Sequence, residues 1–263
     1  METLILIEKY FLLFMIYSVG GWIIEEIVCS ISEKKIVDRG FLIGPICPVY
    51  GFGGLAMTLF LSKFRANPIT LFCMAVIISS VLEYFTSYIM EKIFHARWWD
   101  YSNDKLNLNG RICIKNVIPF GLFGILVIYI INPFVFRMLD KMPLTALNIV
   151  SYSLAIIMVF DIVVSMIVVA KVTVATRILE SEHPKDNTDE ITARVKKELR
   201  STVAGNRLVE AYPNFTTITT KIKQIAEKTA QKSKQAVKNT AQRGKEAVNT
   251  GKKKVEDKLK GKK

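Results

Sequence analysis

The sequence predicts an all-α protein, a polytopic transmembrane helix bundle of about five spans with a cytoplasmic tail that is either an amphipathic helix or disordered. Three observations carry that expectation. Hydrophobic residues make up 51% of the 263-residue chain, and the mean hydropathy of +0.29 is high for a chain that also ends in a polar stretch. Apolar runs long enough to cross a bilayer core of ~30 Å, roughly 20 residues each, recur through the first two thirds. The charge is divided unevenly, with net +2 over residues 1–171, zero over 172–220 and +11 over 221–263. The expected organisation is a transmembrane bundle over 1–171, a cytoplasmic linker with a short helix over 172–220, and a basic tail over 221–263.

The predicted spans are 8–31, 47–63, 68–92, 116–137 and 144–171. The N-terminus lacks a basic n-region and a small-residue cleavage site, so the first span is expected to stay as an anchor. In that span Ser18, Trp22, Glu25 and Cys29 fall at i, i+4, i+7 and i+11, a single stripe of a helix, with Glu26 about 100° round from it. The second span is short and opens inside "RGFLIGPICPVYGFGG", residues 39–54, so that 41–50 reads as a bent entry, a re-entrant turn or the first half of a helix. Pro45 and Pro48 remove backbone donors and bias Gly44 and Cys47 away from helix. Irregular backbone at membrane depth is tolerated only where protein buries it or a water-filled cavity adjoins it. Such a break beside Arg39 is the way many transporters build a solute site. The plainer reading is a close helix–helix contact made by Gly40, Gly44, Gly51, Gly53 and Gly54.

The third span places Ser80, Glu83 or Tyr84, Ser87 and Glu91 along one face, and the fifth is interrupted by Asp161 with Ser165 one turn on. An ionisable group at that depth costs at least ~2.5–3.5 kcal/mol on insertion scales, so it normally faces a bundle interior. Arg39, Arg97 and Arg111 are available as partners; alternatively, Glu25, Glu26 and Glu91 sit at helix ends and are merely solvated. The loop "HARWWDYSNDKLNLNGRICIKN" adds Asp100, Tyr101 and Arg111, a turn at "NLNG", and Trp98 and Trp99 at belt positions. The four cysteines have neither metal-ligand nor disulfide-framework spacing and read as small buried thiols. No cofactor or metal motif is present; "GFGG" is not a nucleotide loop.

Basic residues favour the first and third loops and the C-terminal end. The positive-inside rule therefore places these in the cytoplasm and the N-terminus outside, which an odd number of spans satisfies.

"YSVGGWIIEEI", "DRGFLIGPICPVYGFGG", "SSVLEYFTSYIMEKIF" and "WWDYSNDKLNLNGRICI", taken together and in this order, resemble the family of bacterial integral membrane proteins catalogued as "putative type IV ABC-transporter permeases", over roughly residues 10–165. The resemblance implies a bacterial cell-membrane location and marks Trp22, Glu25, Arg39, Gly40, Gly44, Pro45, Pro48, Tyr50, Gly51, Glu83, Asp100, Tyr101 and Arg111 as motif positions. With no Walker A signature in the chain, ATPase activity would come from a separate ATP-binding subunit. Asp38 departs from the Asn expected before Arg-Gly-Phe, and its adjacency suggests a local pair with Arg39.

Beyond Pro184 a capping box, Asn187 with Glu190, predicts a helix with Ile191, Val195 and Leu199 on one face, which "AYPNF" then breaks. In the tail Ala226, Val237, Val248 and Leu259 recur every 11 residues, close to straight-helix periodicity and similar to late-embryogenesis-abundant and apolipoprotein-like helices. The apolar stripe is thin, so contact with anionic inner-leaflet lipid through Lys232, Lys234, Lys238, Arg243, Lys245, Lys252, Lys253 and Lys254 is the expectation. Nucleic acid is not expected, since no aromatic residue follows Phe215.

The leading function is a transporter-like subunit handling a small polar solute or ion around Glu25, Arg39, Glu83 and Asp161. The alternatives are a membrane enzyme acting on a lipid or isoprenoid phosphate, and a scaffold with a lipid-binding tail.

Overall fold

A computed structural model describes residues 2–183 and 186–219. The first predicted span forms α1 (Glu2–Glu33), from which the chain returns as irregular backbone before α2 (Pro48–Leu61). Next come α3 (Pro68–Phe94) and a rod made of α4 (Val117–Leu126), one π turn (Val127–Ile131) and α5 (Asn132–Asp140). The longest helix among the described residues is α6 (Leu144–Glu182), followed by two short ones, α7 (Thr188–Leu199) and α8 (Val203–Ala211). Four minimal strands complete the described part: β1 (Ala96–Arg97) pairs antiparallel with β4 (Thr216–Thr217), and β2 (Asn107–Leu108) pairs antiparallel with β3 (Ile112–Cys113).

Local sequence explains the helix ends. Asn67 caps α3, its side chain accepting from the backbone of Ile69 and Thr70, with Pro68 in the first turn where its missing N–H is no loss. The predicted capping box of α7 forms, and Ile191, Val195 and Leu199 are buried together. In "NLNG", Asn109 and Gly110 both have positive φ and Arg111 donates back to Leu108, the tight turn that joins β2 to β3. Pro133 cannot donate within the α4–α5 rod, and the π turn lies just before it, where the ladder must re-register.

Among the described residues, four helical segments are long and apolar enough to cross a membrane: Glu2–Ile31, Pro68–Phe94, Ile114–Asp140 and Leu144–Glu182. The fifth expected span differs. Its helix, α2, has 14 residues, about 21 Å at 1.5 Å per residue and so short of a ~30 Å core. Residues 41–47 are irregular backbone that leads into α2, so a helix running on from residue 41 does not form. α2 runs antiparallel to α1, with Tyr50 beside Gly21, Gly51 beside Ser18, and Gly54 beside Tyr17.

The segments therefore alternate between two ends. At one end Lys9 pairs with Asp140 at 2.6 Å. At the other, Thr173 donates to the Phe94 carbonyl and Arg207 grips Asp38. The start of α1 and the α7–α8 region consequently lie at opposite ends.

Apolar packing follows the same division. Leu13, Met57, Leu61, Leu71, Val127 and Leu147 fill the centre of the bundle. Phe94, Trp98, Val172, Val195, Leu208 and Phe215 form a second core beneath α7 and α8. Outward faces are apolar as well: Ile69, Ile156, Phe160 and Ile167 are all exposed, as expected of surfaces that lipid covers. α6, about 58 Å long by its 39 residues, exceeds the bilayer core, and its last turns serve as the platform for the cap made of α7, α8, β1 and β4.

Two expectations about the loops change here. Trp98 is buried against Phe41, Phe94, Tyr212 and Phe215 rather than standing in an interfacial belt, because the cap folds over it. Of the cysteines only Cys113 is fully buried, while Cys73 is exposed on α3.

Candidate functional site

A cavity of about 350 Å³ lies among α1, α2, α3 and α4, with Trp99 and Tyr101 contributed by the loop after β1 and Tyr212 by the end of α8. Three of its lining residues carry charge: Glu25 from α1, Arg39 from the chain before α2, and Glu83 from α3. Glu25 accepts from the Tyr50 hydroxyl at 2.7 Å and lies 3.6 Å from the Arg39 guanidinium. Arg39 also donates to the Ala211 carbonyl and stacks over the Tyr212 ring. Glu83 accepts from Asn116 at 2.9 Å and, more weakly, from the Tyr101 hydroxyl at 3.4 Å. Burial pushes the Tyr101 phenol up to about 12 and raises that of Tyr212 further, so both remain neutral donors near pH 7.

Arg39 is held in place from several directions. Its backbone N–H donates to Glu26, its carbonyl accepts from the Trp22 indole at 2.8 Å, and the next residue, Gly40, has a φ of +119° that a side chain would strain. The stripe Ser18–Trp22–Glu25–Cys29 thus faces inward as its spacing predicts, and Glu26 is a backbone acceptor rather than a merely solvated group. Asp38 does not pair with Arg39. It takes both arms of Arg207, at 2.7 and 3.0 Å, which frees Arg39 to turn toward Glu25.

Asp161 has a different position from the one its membrane depth suggests. It lies away from the cavity lining and accepts from the backbone N–H groups of Ile43 and Gly44 and from the Ser165 hydroxyl. A Cβ on Gly44 would come within 2.8 Å of its carboxylate, so the glycine is what permits this approach. The carboxylate thereby satisfies amides that irregular backbone would otherwise leave open. Pro45 is exposed and Pro48 starts α2, neither reaching the cavity. The small-residue reading holds for another part of the segment: side chains at Gly51 and Gly54 would collide with Phe14, Tyr17 and Ser18 of α1.

Arg111 and Asp100 belong to a separate network. Arg111 is buried, pairs with Glu91 at 2.9 Å, donates to Ser87 and lies over the rings of Tyr84 and Tyr88. Arg97 pairs with the same Glu91 at 3.1 Å and with Asp100 at 3.6 Å. Glu91 is therefore a shared partner of Arg97 and Arg111 rather than a solvated helix end, and Arg39 stands apart from these two arginines. Asp100 also caps its own turn through Ser102.

Several cavity residues escaped sequence reasoning, among them Ser79, Phe120 and Tyr212, as did Asn116, which donates to Glu83; Trp99 reads from sequence only as a belt residue. Tyr212 sits within the "AYPNF" break and carries no local signal of a role. A buried triad is also new: the Tyr17 hydroxyl donates to Asn132 at 2.6 Å, and the Asn132 amide donates to Thr58 at 3.1 Å, linking α1, α5 and α2. Asn132 lies inside an apolar span, so the rule that singled out Asp161 would have found it. The proposed lipid contacts, Lys232 to Lys254, lie outside the described residues.

The family model described as "Putative ABC-transporter type IV" matches residues 12–166, which take in α1 to most of α6 and every charged residue of the cavity. No curated protein and no solved structure matches the chain.

Proposed function

The chain belongs to the family described as "Putative ABC-transporter type IV", and on that premise we propose that it is the membrane subunit of a transporter, handling a small polar solute in the cavity between Glu25, Arg39 and Glu83. The observation that carries this reading is the convergence of three ionisable side chains, from three separate segments, on one cavity of an apolar bundle. Such groups are costly at that depth and are normally kept for a pathway or site. The irregular stretch 41–47 supports the reading too, since broken backbone beside a cavity is a recurrent transporter device.

In this proposal the cap end is cytoplasmic, in accord with the basic loops on that side, and the membrane is the bacterial cell membrane. A separate ATP-binding subunit docks there, while the basic tail holds the chain to anionic lipid. Mass spectrometry of the native protein, purified in mild detergent, tests the assembly. A stoichiometric ATP-binding protein is the expected result; its repeated absence, with a lipid bound in the cavity instead, would overturn the transporter reading.

A further inference from the structure

The charges that line the cavity do not balance. Arg39 is committed to Glu25 and to the Ala211 carbonyl. Among the described residues Glu83 has no such partner: both donors to its Oε1, Asn116 and Tyr101, are neutral, and its Oε2 is buried without a hydrogen bond. With Glu25 and Arg39 cancelling, an ionised Glu83 gives the cavity a net charge of about −1 in a low-dielectric setting, where an uncompensated charge is expensive. The rest of the wall is rich in rings, including Tyr50, Trp99, Tyr101, Phe120, Phe123 and Tyr212.

We propose that the cavity binds a small organic cation, an amine or quaternary ammonium, with Glu83 as its counter-ion and the aromatic wall as its cage. The inference rests on reading the cavity as the place where solute is handled, and it names the solute class. Cations are attracted to aromatic faces within about 6 Å of the ring centre, and cages of this type are a recurring solution for ammonium groups. Other classes fit less well. A bare inorganic cation such as Ca²⁺ wants ~6–8 oxygen ligands, whereas the free acceptor here is one carboxylate oxygen. An anion would have to displace Glu25 from Arg39. A sugar would meet mostly ring surfaces where it needs paired donors and acceptors. At about 350 Å³ the space is at the lower end of ligand pockets, suited to a cation of a few carbons.

The full-length protein in detergent, titrated with tetramethylammonium and with ethanolammonium, tests the proposal through thermal unfolding and tryptophan fluorescence, since Trp99 lines the cavity. Sodium, inorganic phosphate and glucose serve as comparisons. The expected result is a saturable rise in Tm with at least one organic cation and none with the comparison solutes. Glu83→Gln should weaken that binding by about tenfold or more. Glu83→Asp should retain most of it, and Phe120→Leu, which removes a ring but little volume, should weaken it by about two- to fivefold. Absence of response to both organic cations, a response to phosphate instead, or unchanged affinity in Glu83→Gln would overturn the proposal. Should Glu83→Gln fail to fold, unchanged affinity in Phe120→Leu overturns it as well. Binding is read here without ATP or gradient, which separates the two claims. Binding with no uptake into vesicles would sink the transporter reading alone, and uptake of a different solute with no cation binding would sink this one alone.

Discussion

At the residue scale, the charged side chains divide by what they face. Glu25, Arg39 and Glu83 meet in a cavity, whereas Asp161 is used up by backbone. Asp161 accepts from two amides and a hydroxyl at 7% exposure, and hydrogen bonds to a charged group contribute about 1.5–3 kcal/mol each. Asp161→Ala should therefore lower the unfolding free energy by roughly 2–4 kcal/mol, read as a drop in Tm in detergent, with the uptake defect following from loss of fold. If stability in Asp161→Ala is unchanged but uptake is abolished, Asp161 acts on solute directly and its structural assignment fails. Asp38 offers a milder case. Its pair with Arg207 is half exposed, so Asp38→Asn should leave stability nearly unchanged while loosening the cap over Arg39, detectable as faster hydrogen exchange at residues 203–211.

At the scale of elements, α2 can be short because it is pressed so closely onto α1. Gly51 and Gly54 let the backbones approach until Phe14, Ser18 and Tyr17 occupy the space a Cβ would need. Gly51→Val must push the two helices apart, and overpacking of this kind costs about 1–3 kcal/mol; monomer yield and Tm should both fall, and a variant as stable as the parent would mean that the α1–α2 packing is wrong. The cap has its own keystone. Phe215 is fully buried among Trp98, Val195 and Leu208, next to β4, which pairs with β1. Phe215→Ala should cost about 3–5 kcal/mol by cavity formation. Because this cap contributes Tyr212 to the cavity wall, the same change should expose Trp99 to soluble quenchers, and unchanged quenching would separate cap from cavity.

At the scale of the whole molecule, the alternation of segments puts the start of α1 and the α7–α8 cap at opposite ends of the bundle, and in the proposed topology these ends face opposite sides of the membrane. Membrane-impermeant labelling of single cysteines introduced at Glu2 and at His183, in a background without the native four, should report opposite compartments, with His183 protected in intact cells. Labelling of both from outside would refute the topology. The number of apolar runs alone would not have settled this: four helices can cross unaided, and a strict count of four returns both ends to one side. In the proposed topology the odd parity comes from a fifth passage made of irregular residues 41–47 together with α2.

The sequence by itself determined the membrane class, the positions of the long helices, the inward stripe of α1, the cap of α7 and the hairpin turn at Asn109–Gly110, because each depends on hydrophobic periodicity or on side chains within a few residues of one another. It also marked Glu25 and Glu83 as groups needing partners, offered Arg39 as one, and singled out Tyr50 and Tyr101 as motif positions. The tertiary structure alone decided which partners those are. Asp38 takes Arg207, 169 residues away in sequence, instead of its neighbour Arg39, and Asp161 turns to the Ile43 and Gly44 amides instead of joining the cavity. The physical reason is that ion pairs and buried hydrogen bonds form between groups that packing brings together, and packing of distant segments leaves no local trace in the chain.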